Sequence, residues 1–143
     1  MLRNLISILF LSVIFICNAQ LKNPVYLGSE LLNCKSEDKM IQLCLGYNPS
    51  SQTIEDDYHS FSYPDNITIQ CKIDSTSTDR KLPVVKVITP NKKNDIIKNL
   101  IAVGFRKDGN VYRKGNNHTQ SQTICQFDKA KPTTIIFTKQ FNK

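Results

Sequence analysis

Histidine is scarce in this chain, and so are the short signatures on which most enzyme chemistry rests. Among 143 residues there are two histidines, His59 and His118, both set in polar loop sequence. No GxSxG, HExxH, P-loop or paired-glycine fingerprint is present, so the common hydrolase, zincin and nucleotide-binding readings have no support. No CxxC pair occurs either, which disfavours zinc and leaves no metal ligand set to name. Beyond residue 16 no apolar run is long enough to span a bilayer. No internal repeat and no long linker stand out.

Among the features present, the amino terminus is the clearest. A positive MLRN precedes the twelve-residue apolar run LISILFLSVIFI, and Cys17-Asn18-Ala19 ends it on a small residue. That is the layout of a secretory signal peptide over residues 1–19, too short for a transmembrane helix. The expected product begins at Gln20 as a secreted, extracellular protein without stable membrane insertion. It is long enough for one domain with a modest core. Residues 20–33, with Asn23-Pro24 and Gly28, read as a lead-in, irregular or one edge strand. Residues 34–143 form the domain, expected to be a monomer.

Removing the leader also removes Cys17, leaving Cys34, Cys44, Cys71 and Cys125. An even count in a secreted chain implies two disulfides. Of the three possible pairings we favour Cys34–Cys125 with Cys44–Cys71. The outer bridge would close a loop of about 90 residues, limiting the unfolded ensemble by roughly 4 to 5 kcal/mol. Loss of Arg3 leaves 18 basic against 12 acidic side chains, a formal +6. Such a balance suits nucleic acid, acidic glycans or anionic surfaces, or solubility alone.

The periodicities predict an α+β domain: one short helix packed on an antiparallel sheet of five or six strands. Ser36 as cap, Glu37 and Asp38 in the first turn, and Met40, Ile41, Cys44 and Leu45 at helical spacing place the helix before Gly46. Residues 48–57 read as a polar loop. Ile67, Ile69, Cys71 and Ile73 alternate with polar residues as a half-buried strand. KLPVVKVIT (81–89) is a second strand, and the apolar run NLIAVGF (99–105) a central one. NVYRK follows as its hairpin partner across Asp108-Gly109, then TICQF and TTIIFTKQF. Asn66-Ile67-Thr68 and Asn117-His118-Thr119 are glycosylation sequons.

One order of parts is informative. A cysteine precedes the lone helix, Tyr63-Pro64 opens one strand, and Lys81-Leu82-Pro83-Val84-Val85 opens the next. An apolar strand, a hairpin and a near-terminal cysteine complete the series. Over about residues 34–127 this resembles the small secreted guanyl-type ribonucleases of fungi, and more closely the RNase-like effectors of powdery mildews. Where that effector family carries Tyr-x-Cys, this chain has Leu32-Asn33-Cys34.

The resemblance implies a microbial ribonuclease-like fold and locates its cleft, but the acid–base groups are replaced. Tyr63 matches the family tyrosine. Asp65 stands where a histidine belongs, Lys81 in place of the glutamate base, Ala102 in place of an arginine, and Arg113 or Lys114 near the second histidine. A lysine charged at neutral pH is no base, and an arginine does not release its proton. The expectation is therefore a catalytically inactive ribonuclease-like effector, a virulence protein without a cofactor. It would bind RNA or a host protein through Tyr63, Asp65, Lys81, Tyr112, Arg113 and Lys114. Two alternatives are an active secreted endoribonuclease using His59 with Tyr63 and Asp65, and a binding or inhibitor module of unrelated α+β fold that acts through loops 48–60 and 114–122.

Overall fold

The structure, a computed structural model, describes residues 21–74, 82–115 and 121–141. The expected signal peptide, Lys81 and the sequon at Asn117 with His118 lie outside the described residues. The α+β class holds, with three helices and eight antiparallel strands in place of one helix and five or six strands. No described helix is long and apolar enough to cross a membrane.

Helix α1 (Pro24–Leu31) falls in the expected lead-in. Asn23 caps it by accepting from the Tyr26 N–H at 3.1 Å, and Pro24 takes the first helical position, where a missing donor costs nothing. Gly28, taken as a breaker, serves close approach instead. A Cβ there would lie 2.7 Å from Val87 Cγ2 and 2.9 Å from Phe137 Cε2. Gly28→Ala should therefore destabilise by about 2 kcal/mol through overpacking, against the roughly 1 kcal/mol gain of an open helix site. A urea midpoint unchanged or raised would contradict this packing.

Helix α2 (Glu37–Leu45) lies where expected, with Ser36 Oγ accepting from the Lys39 N–H. A hairpin follows that the sequence hides. Strand β1 (Ser51–Glu55) is exposed at every position, so no alternation marks it. Asp56 and Asp57, both at positive φ, turn the chain into β2 (Tyr58–Tyr63). A short turn over Pro64–Asn66 leads to β3 (Ile67–Asp74), and β4 (Leu82–Ile88) pairs with it.

The apolar run at 99–105, expected as a central strand, is the end of helix α3 (Lys93–Ala102). Ile96 and Leu100 are buried one turn apart, a 3.6 period that begins inside the polar stretch before the run. The chain then forms β5 (Arg106–Asp108), β6 (Val111–Lys114), β7 (Ser121–Phe127) and β8 (Thr134–Phe141).

The strand order is β1-β2-β3-β4-β8-β7-β6-β5. This is one α–β–β–β–β unit, α2 with β1–β4, followed by a second, α3 with β5–β8. Their last strands meet antiparallel at the centre of the sheet. Each unit opens its sheet with a hairpin across a two-residue turn, Glu55↔Tyr58 in one and Asp108↔Val111 in the other. Faint sequence echoes accompany the repeat: Gly46-Tyr47 and Gly104-Phe105 after the helices, Cys71-Lys72-Ile73-Asp74 and Cys125-Gln126-Phe127-Asp128 on the third strands.

All three helices cover one sheet face. Under them runs the row Cys71–Val85–Phe137–Cys125–Tyr112, buried throughout. Phe105 meets Phe137 edge to face at 5.9 Å. Full burial of such rings contributes roughly 2 to 3 kcal/mol each.

Candidate functional site

Five of the six residues expected to line a cleft are described, and these five do not converge. Tyr63 is a core residue, 4 % exposed, whose hydroxyl donates to the Cys44 carbonyl at 2.8 Å. Burial first, then the neighbouring thiols and Tyr47, push its phenol well above the usual range. Tyr63→Phe should cost about 1 kcal/mol by removing that buried hydrogen bond, although the carbonyl still accepts from the Tyr47 N–H at 3.2 Å, and leave ligand binding untouched, as a parallel urea melt and binding titration would show. Asp65 is exposed in the turn at φ 65°, beside a shallow pocket with Lys22 and Asn91.

Tyr112 is buried and meets the Phe127 ring edge to face at 6.2 Å. Arg113 lies on the opposite, helix-free face, held by Asp108 at 2.6 Å and Gln140 at 2.9 Å. Lys114 sits 5.9 Å over the Phe105 ring. Of the five described candidates only Tyr112 borders the groove described below.

The histidine-centred alternative does not assemble either. His59 Nε2 lies 3.8 Å from Glu37 Oε1, and its Nδ1 is buried without a partner. Tyr63 is four residues along the same strand, about 13 Å away.

The four cysteines are free thiols in the structure, so the expected bridges are not formed. Cys44 of α2 and Cys71 of β3 are side by side, their thiols hydrogen-bonded, and this contact with burial raises the Cys71 pKa far above the thiol range. Cys34 is packed against the same core. Cys125 is separated from Cys71 by two strands of the buried row, about 14 Å. Burial alone raises its pKa. The Cys34–Cys125 pairing expected from sequence is not formed.

Charge divides between the two units. Residues 21–89 hold 7 basic and 9 acidic side chains, and residues 90–143 hold 11 and 3, so the halves stand at −2 and +8. In the basic half the start of α3, the β5–β6 turn and the β7–β8 loop enclose a groove. It bends around Phe127 in two lobes of about 490 and 210 Å³ that share Lys93, Asn110 and Phe127. Lys129 lines the larger lobe and Lys107 the smaller. Lys93 Nζ stands 5.0 Å over the Phe127 ring.

Asp128, the acid in the wall, is turned into its own loop, where its Oδ1 accepts from the Ala130 N–H at 2.9 Å. The groove therefore offers three cations from three elements, a carboxamide and an aromatic floor. Sequence reading missed Lys93 and Lys107 because the 99–105 run was read as a strand, which hid helix α3 and the turn it leads to, and Lys129 because nothing in the sequence marks the β7–β8 loop as a groove wall. The helix-free face of the sheet carries a different surface. There Tyr58 is held against the ammonium groups of Lys72 and Lys86 at 4.4 and 4.3 Å. Val84, Ile124 and Ile136 lie half-buried beside them, and no described element packs on top.

Comparison with protein families, with characterised proteins and with solved structures finds no match.

Proposed function

We propose that this is a secreted, non-catalytic binding protein that holds the phosphate chain of single-stranded RNA in the groove around Phe127. The observation that carries the reading is the convergence of Lys93, Lys107 and Lys129 from three separate elements on one bent groove in the half that bears the excess positive charge. A flexible single strand can follow a bent path, whereas the fixed phosphate spacing of a duplex cannot. The aromatic rings contribute packing more than base recognition, because Lys93 covers a face of Phe127 and Tyr112 is buried. Binding is then tolerant of sequence, and the groove's lysines, amide and engaged carboxylate suit holding phosphates rather than transferring protons.

The test is a binding and cleavage assay over a salt series. With about three phosphates neutralised, log K should fall against log salt with a slope near −2, and the RNA should stay intact. Cleavage that follows the protein through purification would restore the enzyme reading. Absence of binding at low salt would move the weight to a protein partner. A second reading rests on the helix-free face, where the aliphatic strip ringed by lysines has the layout of a protein interface. Under either reading the host-directed effector role implied by the sequence resemblance is a proposal, as is the ribonuclease-like fold.

We infer too that secretion oxidises Cys44 and Cys71 to one disulfide, since their thiols are already in contact.

A further inference from the structure

The sequon Asn66-Ile67-Thr68 is a motif that the groove leaves unused. The structure treats its three residues differently. Asn66 stands exposed in the turn between β2 and β3, at φ 57°, a left-handed conformation that asparagine adopts more readily than most residues. Ile67 is buried at the start of β3 and paired with Tyr63, and Thr68 is held between Ser62 and Ile88. The acceptor amide is thus accessible in the folded protein, whereas the two residues that complete the sequon are locked in the sheet.

The turn lies at the groove's end of the sheet. Asp65 and Ile67 share a shallow pocket with Pro90 and Asn91. Thr89, next to them, donates its N–H to the Thr133 carbonyl at 3.2 Å, and Pro132 lines the larger lobe of the groove. Two residues beyond Asn91, Lys93 lines both lobes. From β3 to β7, whose Phe127 forms the floor, is three strand spacings, about 14 Å.

We propose that Asn66 carries an N-linked glycan and that this glycan closes the groove at its Pro132 end. A strand leaving the larger lobe past Pro132 runs over Pro90 and Asn91 and meets the sugar. The RNA segment held is therefore short, and a longer strand continues only from the Lys107 end. The donor is a lipid-linked oligosaccharide diphosphate of the secretory route. The bond from the first sugar's anomeric carbon to the diphosphate oxygen breaks, and that carbon bonds Asn66 Nδ2. The amide gives up one proton as the lipid diphosphate leaves, and no oxidation or reduction is involved. Because Ile67 and Thr68 are paired in the folded sheet, transfer precedes the docking of β3 between β2 and β4.

The inference rests on the secreted, RNA-holding reading, and the experiment keeps the two apart. The full chain is expressed with its leader in a eukaryotic secretory host, and the secreted protein is peptide-mapped by mass spectrometry before and after glycosidase treatment. Expected is a glycan at Asn66, absent from Asn66→Gln and from Thr68→Val, which keeps a β-branched residue in β3. Both variants retain the Asn117 sequon, so the comparison isolates Asn66. Fluorescence anisotropy then compares single-stranded RNA of about 4 and about 20 nucleotides. Loss of the glycan should leave the short strand within about twofold and tighten the long strand about fivefold, the worth of one further exposed phosphate contact. Asn66 found bare would overturn the inference and leave the groove reading standing. A glycan whose loss changes neither strand, or both alike, would overturn its role at the groove. If neither strand binds at low salt, with or without the glycan, the groove reading falls and the closure with it.

Discussion

Replacing Lys93, Lys107 and Lys129 together by glutamate should weaken RNA binding on the order of a hundredfold or more. Each exposed lysine–phosphate contact contributes up to about 1 kcal/mol, and reversing the charge turns attraction into repulsion at three points. Three such losses sum to about 3 kcal/mol, or two decades of affinity. The salt slope should collapse with the affinity, because the released counterions belong to those contacts.

The matched control is Lys22→Glu with Lys35→Glu and Lys39→Glu, the same change in net charge placed on exposed positions of the other half. Filter binding or fluorescence anisotropy at two salt concentrations reads both variants. A control that loses as much as the groove variant would show that net charge, not the groove, holds the RNA. A groove variant that binds as wild type would remove the proposed function outright.

The second large effect is on stability. With Cys44 and Cys71 bridged, a loop of 27 residues is closed in the unfolded chain, which stabilises the native state by roughly 3.5 kcal/mol. The Cys44→Ala, Cys71→Ala double variant loses that and two buried sulfurs besides, so its urea midpoint should fall well below that of the oxidised protein. Reduced wild type should lie between them. The contrast with Cys125 is the sharper check. Cys125→Ser places a hydroxyl at a fully buried site and destabilises for that reason, equally in oxidised and reduced protein. Were Cys125 bridged, its loss would cost more under oxidising than under reducing conditions.

Legibility in the sequence followed local chemistry. Helix α2 was readable because its cap, first-turn acids and periodic apolar residues agree. Strands β3, β4, β7 and β8 were readable from alternation or β-branched content. Helix α1 carried the Asn-Pro start of a helix, but Gly28 reads as a break unless one knows that Val87 and Phe137 press against it. Strand β1 could not be found by burial pattern, since an edge strand exposed at every position has none. The 99–105 run was ambiguous for a physical reason: seven apolar residues fit a buried strand or the last turns of a helix equally well.

The candidate site was less legible than the fold. Tyr63 and Tyr112 have the composition of a cleft rim and the location of a core. The three lysines that share the groove lie 14 and 22 residues apart along the chain, in a sequence where lysine is common. Only the return of β7 and β8 to the start of α3 brings them together.

The repeated architecture has a consequence for how such a protein can specialise. In a symmetric pair of identical α–β4 chains, every substitution is made twice, and a groove crowded with cations on one chain is matched by another across the axis. One chain carrying both units escapes that constraint. Here the first unit holds the paired thiols and slightly acidic surface, the second the lysine groove, and neither compromises the other. On the proposed readings the two units divide labour: one half would gain covalent durability from its disulfide while the other is free to bargain with a charged partner.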